Sequence, residues 1–217
     1  MKLGVFTPVF GAMTLDEVLA KVRALPRVQA LEIGTGGWPG KDHLDIDALL
    51  DKKPCAAAYR QKIADAGLTI SALSCHNNPL HPDAATGKAA DDLLRKTVRL
   101  AEQLEVPVVV TFSGCPGDHE GAKHPNWVTQ PWPPEFLDVL DWQWEKKAIP
   151  YWCGAAHFAW RDRQPAFVRR GKGRPLAQNI AAFGDAVEIA DIDTPDLPHL
   201  LNLQRQWRPR AKDGLSF

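Results

Sequence analysis

Four short runs of apolar residues recur along the first half of the chain, each followed by small and polar residues. The runs are Lys2–Phe6, Gln29–Ile33, Thr69–Leu73 and Pro107–Phe112. Segments with helical periodicity separate them, and this strand–helix alternation predicts an α/β fold with a parallel sheet. Because the carboxyl ends of parallel strands lie together, we expect a binding site where the polar residues follow the strands.

Between and after these strands, three segments carry apolar residues at helical spacing: Leu15–Leu25, Asp91–Leu104 and Phe136–Trp152. Thr14 or Asp16 can cap the first of these helices, because both are preferred N-cap residues. The third segment is strongly amphipathic and rich in tryptophan. Pro150 is expected to end or kink it, since proline cannot donate a helical hydrogen bond.

Polar side chains follow the second and third strands. Glu32 places a carboxylate in a strand that should be buried, and a buried charge requires a partner or a function. Either a neighbouring donor holds Glu32 inside the sheet, or it contacts a ligand at the mouth. The third strand runs into residues 74–82, which include His76 and Asn77. The polar side chains of such a loop can simply form hydrogen bonds with the loop's own backbone. The position of the loop after a strand, however, favours a binding role.

The loop after the fourth strand spans residues 113–132 and is long for a connection without secondary structure. Trp127 and Trp132 argue against disorder, because aromatic side chains need burial or a ligand. They either pack the loop onto the sheet or stack on a substrate. The run Asp118–Glu120 could attract a metal, but adjacent residues rarely converge on one ion, which favours a solvated turn.

Composition narrows the function classes. The 217 residues are enough for one domain with a good core. A formal net charge of +0 gives no electrostatic case for nucleic acid or an anionic membrane. No apolar run approaches a membrane span, and the first residues lead into a strand rather than a signal peptide. The four cysteines lack a Cys-x-x-Cys pair, so we expect reduced thiols in the cytoplasm rather than a zinc site.

Five segments form a more specific pattern together than any of them does alone: Met1–Thr7, Ala30–Gly36, Ser71–Pro82, Thr111–Gly117 and Asn126–Pro134. With these segments, residues 1 to about 152 resemble the xylose isomerase-like (β/α)8 barrels of the sugar phosphate isomerase/epimerase family. The resemblance implies a TIM barrel. We expect a partial one, with about four or five clear βα units and an atypical C-terminal tail.

The resemblance also implies a divalent metal, commonly Mn²⁺, Mg²⁺, Co²⁺ or Zn²⁺, that polarises a sugar carbonyl and its neighbouring hydroxyl. It implies pocket roles for Glu32, His76, Asn77 and Trp127, and it assigns no catalytic residue here. In the family, the metal ligands come mostly from strands five to eight, beginning with a Glu in a Glu-x-His-Pro type of pattern. No such strand is found downstream in this chain, so we assign no metal ligand and expect an incomplete site.

The family pattern stops near residue 152. This divides the chain into 1–152, the N-terminal part of a barrel, and 153–217, an atypical segment. A reading-frame shift, a remodelled second half or a trimmed barrel that pairs with another chain would each explain the change. We favour the frame shift, because the match ends abruptly. Within the tail, residues 186–191 could form one strand, and the basic run 161–174 is interpreted as a solvated tail rather than a phosphate or nucleic-acid contact.

Two functions therefore compete. One is a sugar isomerase or epimerase that moves a proton or hydride on a small sugar or polyol with the help of a metal. The other is a non-catalytic carbohydrate-binding or interaction protein. A partial barrel has open strand edges that invite pairing with another chain, so a homo-oligomer is compatible with either function. The identity of the sugar and its phosphorylation stay open.

Overall fold

The computed structural model describes the backbone of residues 2–170 and 180–182, and the side chains of residues 2–159. Its strands form one parallel sheet in the order β1-β2-β3-β4-β5. The strands are β1 (Leu3–Phe6), β2 (Val28–Gly37), β3 (Thr69–His76), β4 (Val109–Thr111) and β5 (Ile180–Ala182). Parallel strands that are neighbours in both sequence and space are typical of barrel-type α/β folds. The predicted α/β fold with a parallel sheet is therefore confirmed.

The described helices are α1 (Leu15–Arg23), α2 (Ile46–Asp51), α3 (Lys53–Asp65), α4 (Ala84–Gln103), α5 (Glu135–Trp142) and α6 (Ile149–Arg170), with a 3₁₀ turn at Thr7–Phe10 and a π-helical segment at Gln143–Ala148. Thr14 caps α1. Its hydroxyl accepts the Glu17 N–H, and the Glu17 carboxylate accepts the Thr14 N–H. This reciprocal capping box satisfies two backbone donors, which explains why Thr14 rather than Asp16 begins the helix. Among the described helices, none combines the length and apolarity needed to cross a bilayer.

Alternate residues of β2 and β3 face opposite sides of the sheet. One set is buried in the apolar core that α1, α3 and α4 cover, and it consists of Leu31, Ile33, Leu73 and Cys75. The intervening residues include Glu32, Ser74 and His76, and they face the other side. In a barrel of this type that side is the interior. The sheet therefore separates an apolar layer under the helices from a polar surface towards the barrel axis.

A buried pair of hydroxyls links α4 to β2 and β3. The Thr35 hydroxyl donates to the Ser74 carbonyl at 3.1 Å and lies 2.8 Å from the Thr97 hydroxyl oxygen. The Thr97 hydroxyl also donates to the Leu93 carbonyl one turn earlier, at 2.9 Å. Both threonines are 0% exposed, and buried hydroxyls are costly unless they are hydrogen-bonded. The pair therefore fixes the helix against the segment of β3 that carries Ser74.

The strand boundaries differ from the prediction at the carboxyl ends. β2 and β3 continue to Gly37 and His76, whereas the apolar runs end at Ile33 and Leu73. The parallel ladder pairs Gly37 with His76, so backbone hydrogen bonding carries both strands beyond their apolar residues. β4 is shorter than predicted and covers three residues. Hydrophobic periodicity detects the buried part of a strand but not this extension into polar sequence.

Pro150 neither ends the predicted third helix nor separates it from the chain that follows. It lies in the first turn of α6, directly after the π-helical segment. Proline is tolerated in a first turn because its missing N–H is not needed there. The Ile149 N–H donates to the Trp144 carbonyl five residues earlier, so the wider π turn accommodates the change of hydrogen-bond pattern. The helical course is therefore continuous in the backbone from α5 to α6.

Several expectations concern the C-terminal part. α6 runs through residues 152 and 153 to Arg170, so the backbone of 161–170 within the basic run is helical. The division at residue 152 stays a prediction, as does its origin. The strand predicted at 186–191 lies outside the described residues. The fifth strand of the sheet, β5, was not predicted from the sequence.

Replacing Thr97 with valine should destabilise the fold. Thr97→Val keeps the shape of the side chain but removes the hydroxyl that Thr35 and the Leu93 carbonyl contact. We expect the free energy of unfolding to fall by about 1–3 kcal/mol, the usual cost of disrupting a buried hydrogen bond. Urea denaturation would measure it. Thr69→Val is the matched control, because exposed Thr69 donates to the Gln29 carbonyl, and its effect should stay within about 0.5 kcal/mol. Equal losses in both variants would contradict the role of the buried pair.

Candidate functional site

The polar residues that face the barrel interior meet at the carboxyl ends of β2 and β3. The Ser74 hydroxyl donates to Oε1 of Glu32 in a short hydrogen bond. Glu32 lies level with Phe6 of β1 and Ala72 of β3 in the parallel register. Ser74 is fully buried, whereas Glu32 is half-buried. The carboxylate is therefore held by a donor on the next strand, as the first interpretation of Glu32 expects, and it still faces the interior. Its contact with a ligand stays a prediction.

His76 closes β3 among aromatic rings. Its ring centroid lies 4.6 Å from that of Phe112, with an angle of 18° between the planes. Trp38 stacks on it at 6.2 Å and 27°, and Phe6 lies at 5.8 Å in a tilted contact. The residue as a whole is 5% exposed. His76 is thus part of an aromatic cluster that joins the ends of β1, β2, β3 and the segment after β4.

The protonation of His76 is set by two opposing effects. Burial lowers its pKa, because a charged imidazolium loses hydration there, and the nearby Glu32 carboxylate partly opposes this by favouring the charged form. The net direction is downward. At neutral pH the ring is therefore a neutral imidazole, with one nitrogen able to donate and the other able to accept a hydrogen bond. A neutral imidazole avoids the cost of burying a charge among these rings.

The two asparagines after β3 have different positions. The Asn77 side chain lies against Gly37, which has a φ of +74°. A side chain at residue 37 would collide with the Asn77 amide oxygen, so glycine is required there for both its conformation and its size. Asn77 therefore lies between the ends of β2 and β3, beside His76.

Asn78, which the sequence analysis did not single out, joins two loops of the mouth. Its Oδ1 accepts the N–H groups of Leu80 at 3.1 Å and Cys115 at 2.9 Å, and its Nδ2 donates to the Cys115 carbonyl at 3.0 Å. Gly114, with a φ of +92°, lies close enough that a Cβ there would approach the Asn78 Oδ1. The loop after β3 is thereby fixed to the loop after β4. An asparagine that precedes a proline is the only sequence signal for this role.

Trp127 contacts the helical segment after the long loop rather than the aromatic cluster around His76. Its ring packs edge-on against Trp144 at 5.1 Å. Trp132 is 72% exposed. The structure thus supports the packing interpretation for Trp127, because its observed aromatic partner lies in the π-helical segment. Its predicted role in the pocket stays a prediction.

Gln143 holds this long loop in place, and sequence reasoning missed it. Its side chain is fully buried. The amide oxygen accepts the Val128 N–H at 3.0 Å, and the amide nitrogen donates to the Gly117 carbonyl at 2.8 Å. The Trp152 indole N–H adds a further contact by donating to the Ser113 carbonyl at 2.9 Å. The helical region therefore fixes the loop through buried polar groups at three points.

The described residues include no group of three His, Cys, Asp or Glu side chains placed to hold a metal ion. In the run Asp118–Glu120, Asp118 lies 3.6 Å from His119, and Glu120 forms an ion pair with Lys147 at 2.7 Å. These side chains are largely exposed, in agreement with a solvated turn. The four cysteines are free. The donor set in this part of the chain therefore does not fit the divalent metal that the resemblance implies.

Replacing Gln143 should loosen the long loop. Gln143→Met keeps the length of the side chain but leaves the Val128 N–H and the Gly117 carbonyl without this partner. We expect the free energy of unfolding to fall by about 1–3 kcal/mol, and the Val128 amide to exchange faster with deuterium. Gln61→Met, on the exposed face of α3, is the control. Unchanged exchange at Val128 would exclude the proposed attachment.

The stability of the fold should depend on the protonation of His76. The unfolded chain takes up this proton at the ordinary histidine pKa of about 6.5, whereas the folded chain, in which that pKa is lowered, takes it up at a lower pH. Between these values the unfolded state binds more protons, so the free energy of unfolding falls as pH falls, by at most about 1.4 kcal/mol per pH unit.

His76→Phe retains a stacked ring and should remove this part of the pH dependence. Denaturant unfolding of both proteins between pH 8 and about pH 5 would measure it. The difference at pH 8, where the ring is neutral in both states, gives the packing cost of the replacement. An identical pH dependence in the two proteins would show that burial does not lower the pKa of this group.

Comparisons with known proteins agree with the architecture. No family model matches the chain. YfiH, an uncharacterized protein of Bacillus subtilis, is 38% identical over 154 residues, which cover 70% of this chain and 49% of YfiH. A xylose isomerase candidate from Rhodospirillum rubrum has a TM-score of 0.50 and 19% identity, covering 75% of this chain and 51% of that one.

A D-psicose 3-epimerase, solved in the presence of D-fructose, has a TM-score of 0.43 and 16% identity over 73% of this chain and 48% of its own. The chain thus spans about half the length of the relatives it matches. The chain has the fold of a xylose isomerase-like TIM barrel over the 75% of its length that the match covers.

Proposed function

We propose that the chain is a sugar isomerase- or epimerase-type protein, whose described part binds a small sugar or polyol at the carboxyl ends of β2 and β3. The observation that carries the proposal is the Glu32–Ser74 hydrogen bond beside the imidazole of His76, on the side of the sheet that faces the barrel interior. Active sites in barrels of this type lie at this end. The fold shared with a xylose isomerase candidate supports the same substrate class.

The chemistry of these side chains suits a polyhydroxylated ligand. A carboxylate accepts hydrogen bonds from hydroxyl groups and can accept two at once. Ser74 fixes the orientation of Glu32 by donating to one of its oxygens, and His76 adds one donor and one acceptor. We propose that Glu32 accepts a ligand hydroxyl, that Ser74 orients it, and that His76 and Asn77 contact neighbouring hydroxyls. Such fixed polar groups give direction to binding in a largely apolar site.

We include a proton or hydride shift between sugar carbons in the proposal only because the family that the chain resembles carries out such reactions. When bound, a divalent metal would polarise the carbonyl in such a reaction. The described residues do not fit that ion, so we derive no step through it. The predicted role of Trp127 in the pocket, a homo-oligomer, the absence of a nucleic-acid partner and a cytoplasmic location stay predictions.

The Glu32–Ser74 hydrogen bond is also compatible with a second function, which is carbohydrate binding without catalysis. A chain that binds a sugar at Glu32 without metal ligands would be a non-catalytic carbohydrate-binding protein. A carboxylate held by Ser74 suits binding without turnover as well as binding with it, whereas the fold favours the enzyme. The two differ in one measurable property, which is turnover of the bound ligand.

Glu32→Gln should weaken ligand binding by about 10- to 100-fold, because a hydrogen bond to a charged acceptor contributes about 1.5–3 kcal/mol. Calorimetric titration of the full chain with aldoses, ketoses and inositols, with and without Mn²⁺, would measure it. Glu105→Gln is the control, because Glu105 is exposed and forms an ion pair with Arg60. Carbon-bound deuterium acquired from D₂O would identify proton-transfer chemistry.

Three outcomes separate the alternatives. Binding with deuterium incorporation or a new sugar product supports the isomerase or epimerase. Binding that Glu32→Gln weakens, without turnover under any metal condition, supports the non-catalytic protein. Failure of the whole panel to bind, or equal binding by Glu32→Gln, would overturn the proposed site.

A further inference from the structure

Trp38 is the first residue after β2 and is 76% exposed. A tryptophan side chain is large and mostly apolar, so tryptophans are well buried on average. A single exposed apolar residue would need no explanation. Trp38 differs because it is part of an ordered group of rings at the candidate site.

The ring of Trp38 continues a stack that begins deeper in the sheet. His76 lies within 18° of parallel to Phe112 and within 27° of parallel to Trp38. The centroid distances are 4.6 and 6.2 Å, within the range of favourable aromatic contacts. The result is a series of flat rings that is half-buried at Phe112, buried at His76 and open to solvent at Trp38.

The backbone holds Trp38 in this place. The Trp38 N–H donates to the His76 carbonyl at 3.1 Å. The preceding Gly37 has a φ of +74°, and the Asn77 amide fills the space beside its Cα. The indole therefore projects from a segment that is hydrogen-bonded and tightly packed. An aromatic surface that is fixed before the ligand arrives loses little conformational entropy on binding.

We propose that the exposed ring of Trp38, which stacks on the buried ring of His76, forms a stacking platform for the C–H face of a ring-form sugar or cyclic polyol. This inference rests on the proposed function and narrows its substrate class from sugars in general to ring-shaped ones. Sugar rings and cyclic polyols present a nearly flat set of C–H groups on one face and hydroxyls around the edge. The C–H face of the ligand would lie on Trp38, and the hydroxyls around its edge would need polar partners, for which the half-buried Glu32 carboxylate near His76 is the candidate.

An open-chain polyol fits this arrangement less well. It has no flat C–H face, and it must lose several internal rotations to imitate one, which costs binding free energy. A ring has already lost those rotations. The platform therefore predicts discrimination between two ligands of similar composition that differ in ring closure.

The test compares myo-inositol and methyl β-D-glucopyranoside, both of which keep a ring, with the open-chain polyol sorbitol. Saturation-transfer NMR on the full chain reports which ligand protons contact the protein, and calorimetry gives the affinities. The variants are Trp38→Leu, which removes the aromatic face, and Trp38→Phe, which keeps one. Trp132→Leu is the matched control, because that ring is 72% exposed in the long loop.

We expect at least one ring ligand to bind at least about fivefold more tightly than sorbitol, with saturation transfer concentrated on its C–H protons. Trp38→Leu should weaken that binding by at least about fivefold, Trp38→Phe by less, and Trp132→Leu not at all. Thermal melting should show all three variants folded, since both positions are exposed.

Two results would overturn the platform. In the first, Trp38→Leu binds ring ligands as well as the unchanged protein, while Glu32→Gln still loses binding; the proposed function then stands without a stacking surface. In the second, sorbitol binds as tightly as the ring ligands and responds equally to Trp38→Leu. If no sugar or polyol binds at all, both the platform and the proposed function fail.

Discussion

The register of β2 against β3 decides which side chains reach the candidate site. Side chains alternate along a strand, so a shift of one residue would turn Glu32, Ser74 and His76 towards the helices. The same shift would move Leu31 and Leu73 out of the core in which both are fully buried. Burying a leucine contributes about 1.5–3 kcal/mol, and several such residues oppose the shift together. The apolar layer under α4 thus determines the position of the polar residues on the other side.

The loops of the mouth depend on the side-chain amides of half-buried Asn78 and buried Gln143 as well as on apolar packing. Asn78 joins the loop after β3 to the loop after β4, and Gln143 holds the long loop from the helical side. An amide offers both donors and an acceptor, so one side chain can fix several backbone groups that lack secondary structure. Because Gln143 is fully buried, losing its contact with the Gly117 carbonyl would leave that oxygen without this partner away from water. This gives loops without helices or strands a defined position on the fold.

Three of the four predicted site residues lie together in the structure and one does not, and the difference has a physical reason. Glu32 and His76 lie on neighbouring strands of one sheet, so parallel pairing brings them together. Asn77 follows directly and packs at the same edge. Trp127 lies in a long loop, where sequence spacing does not determine the partner, and its ring packs on Trp144. Trp38 was not predicted as a site residue, yet it stacks on His76. This contact follows from the extension of β2 beyond its apolar residues.

The sequence by itself determined the class of fold, the first four strands and the end of the sheet where polar side chains collect. These follow from hydrophobic periodicity, which depends on residues close to one another in the chain. The aromatic stack, the Glu32–Ser74 hydrogen bond and the attachment of the long loop by Gln143 were decided only by tertiary structure. Each joins groups that lie 15 to 42 residues apart, and local patterns carry no information about which distant donor will face which acceptor.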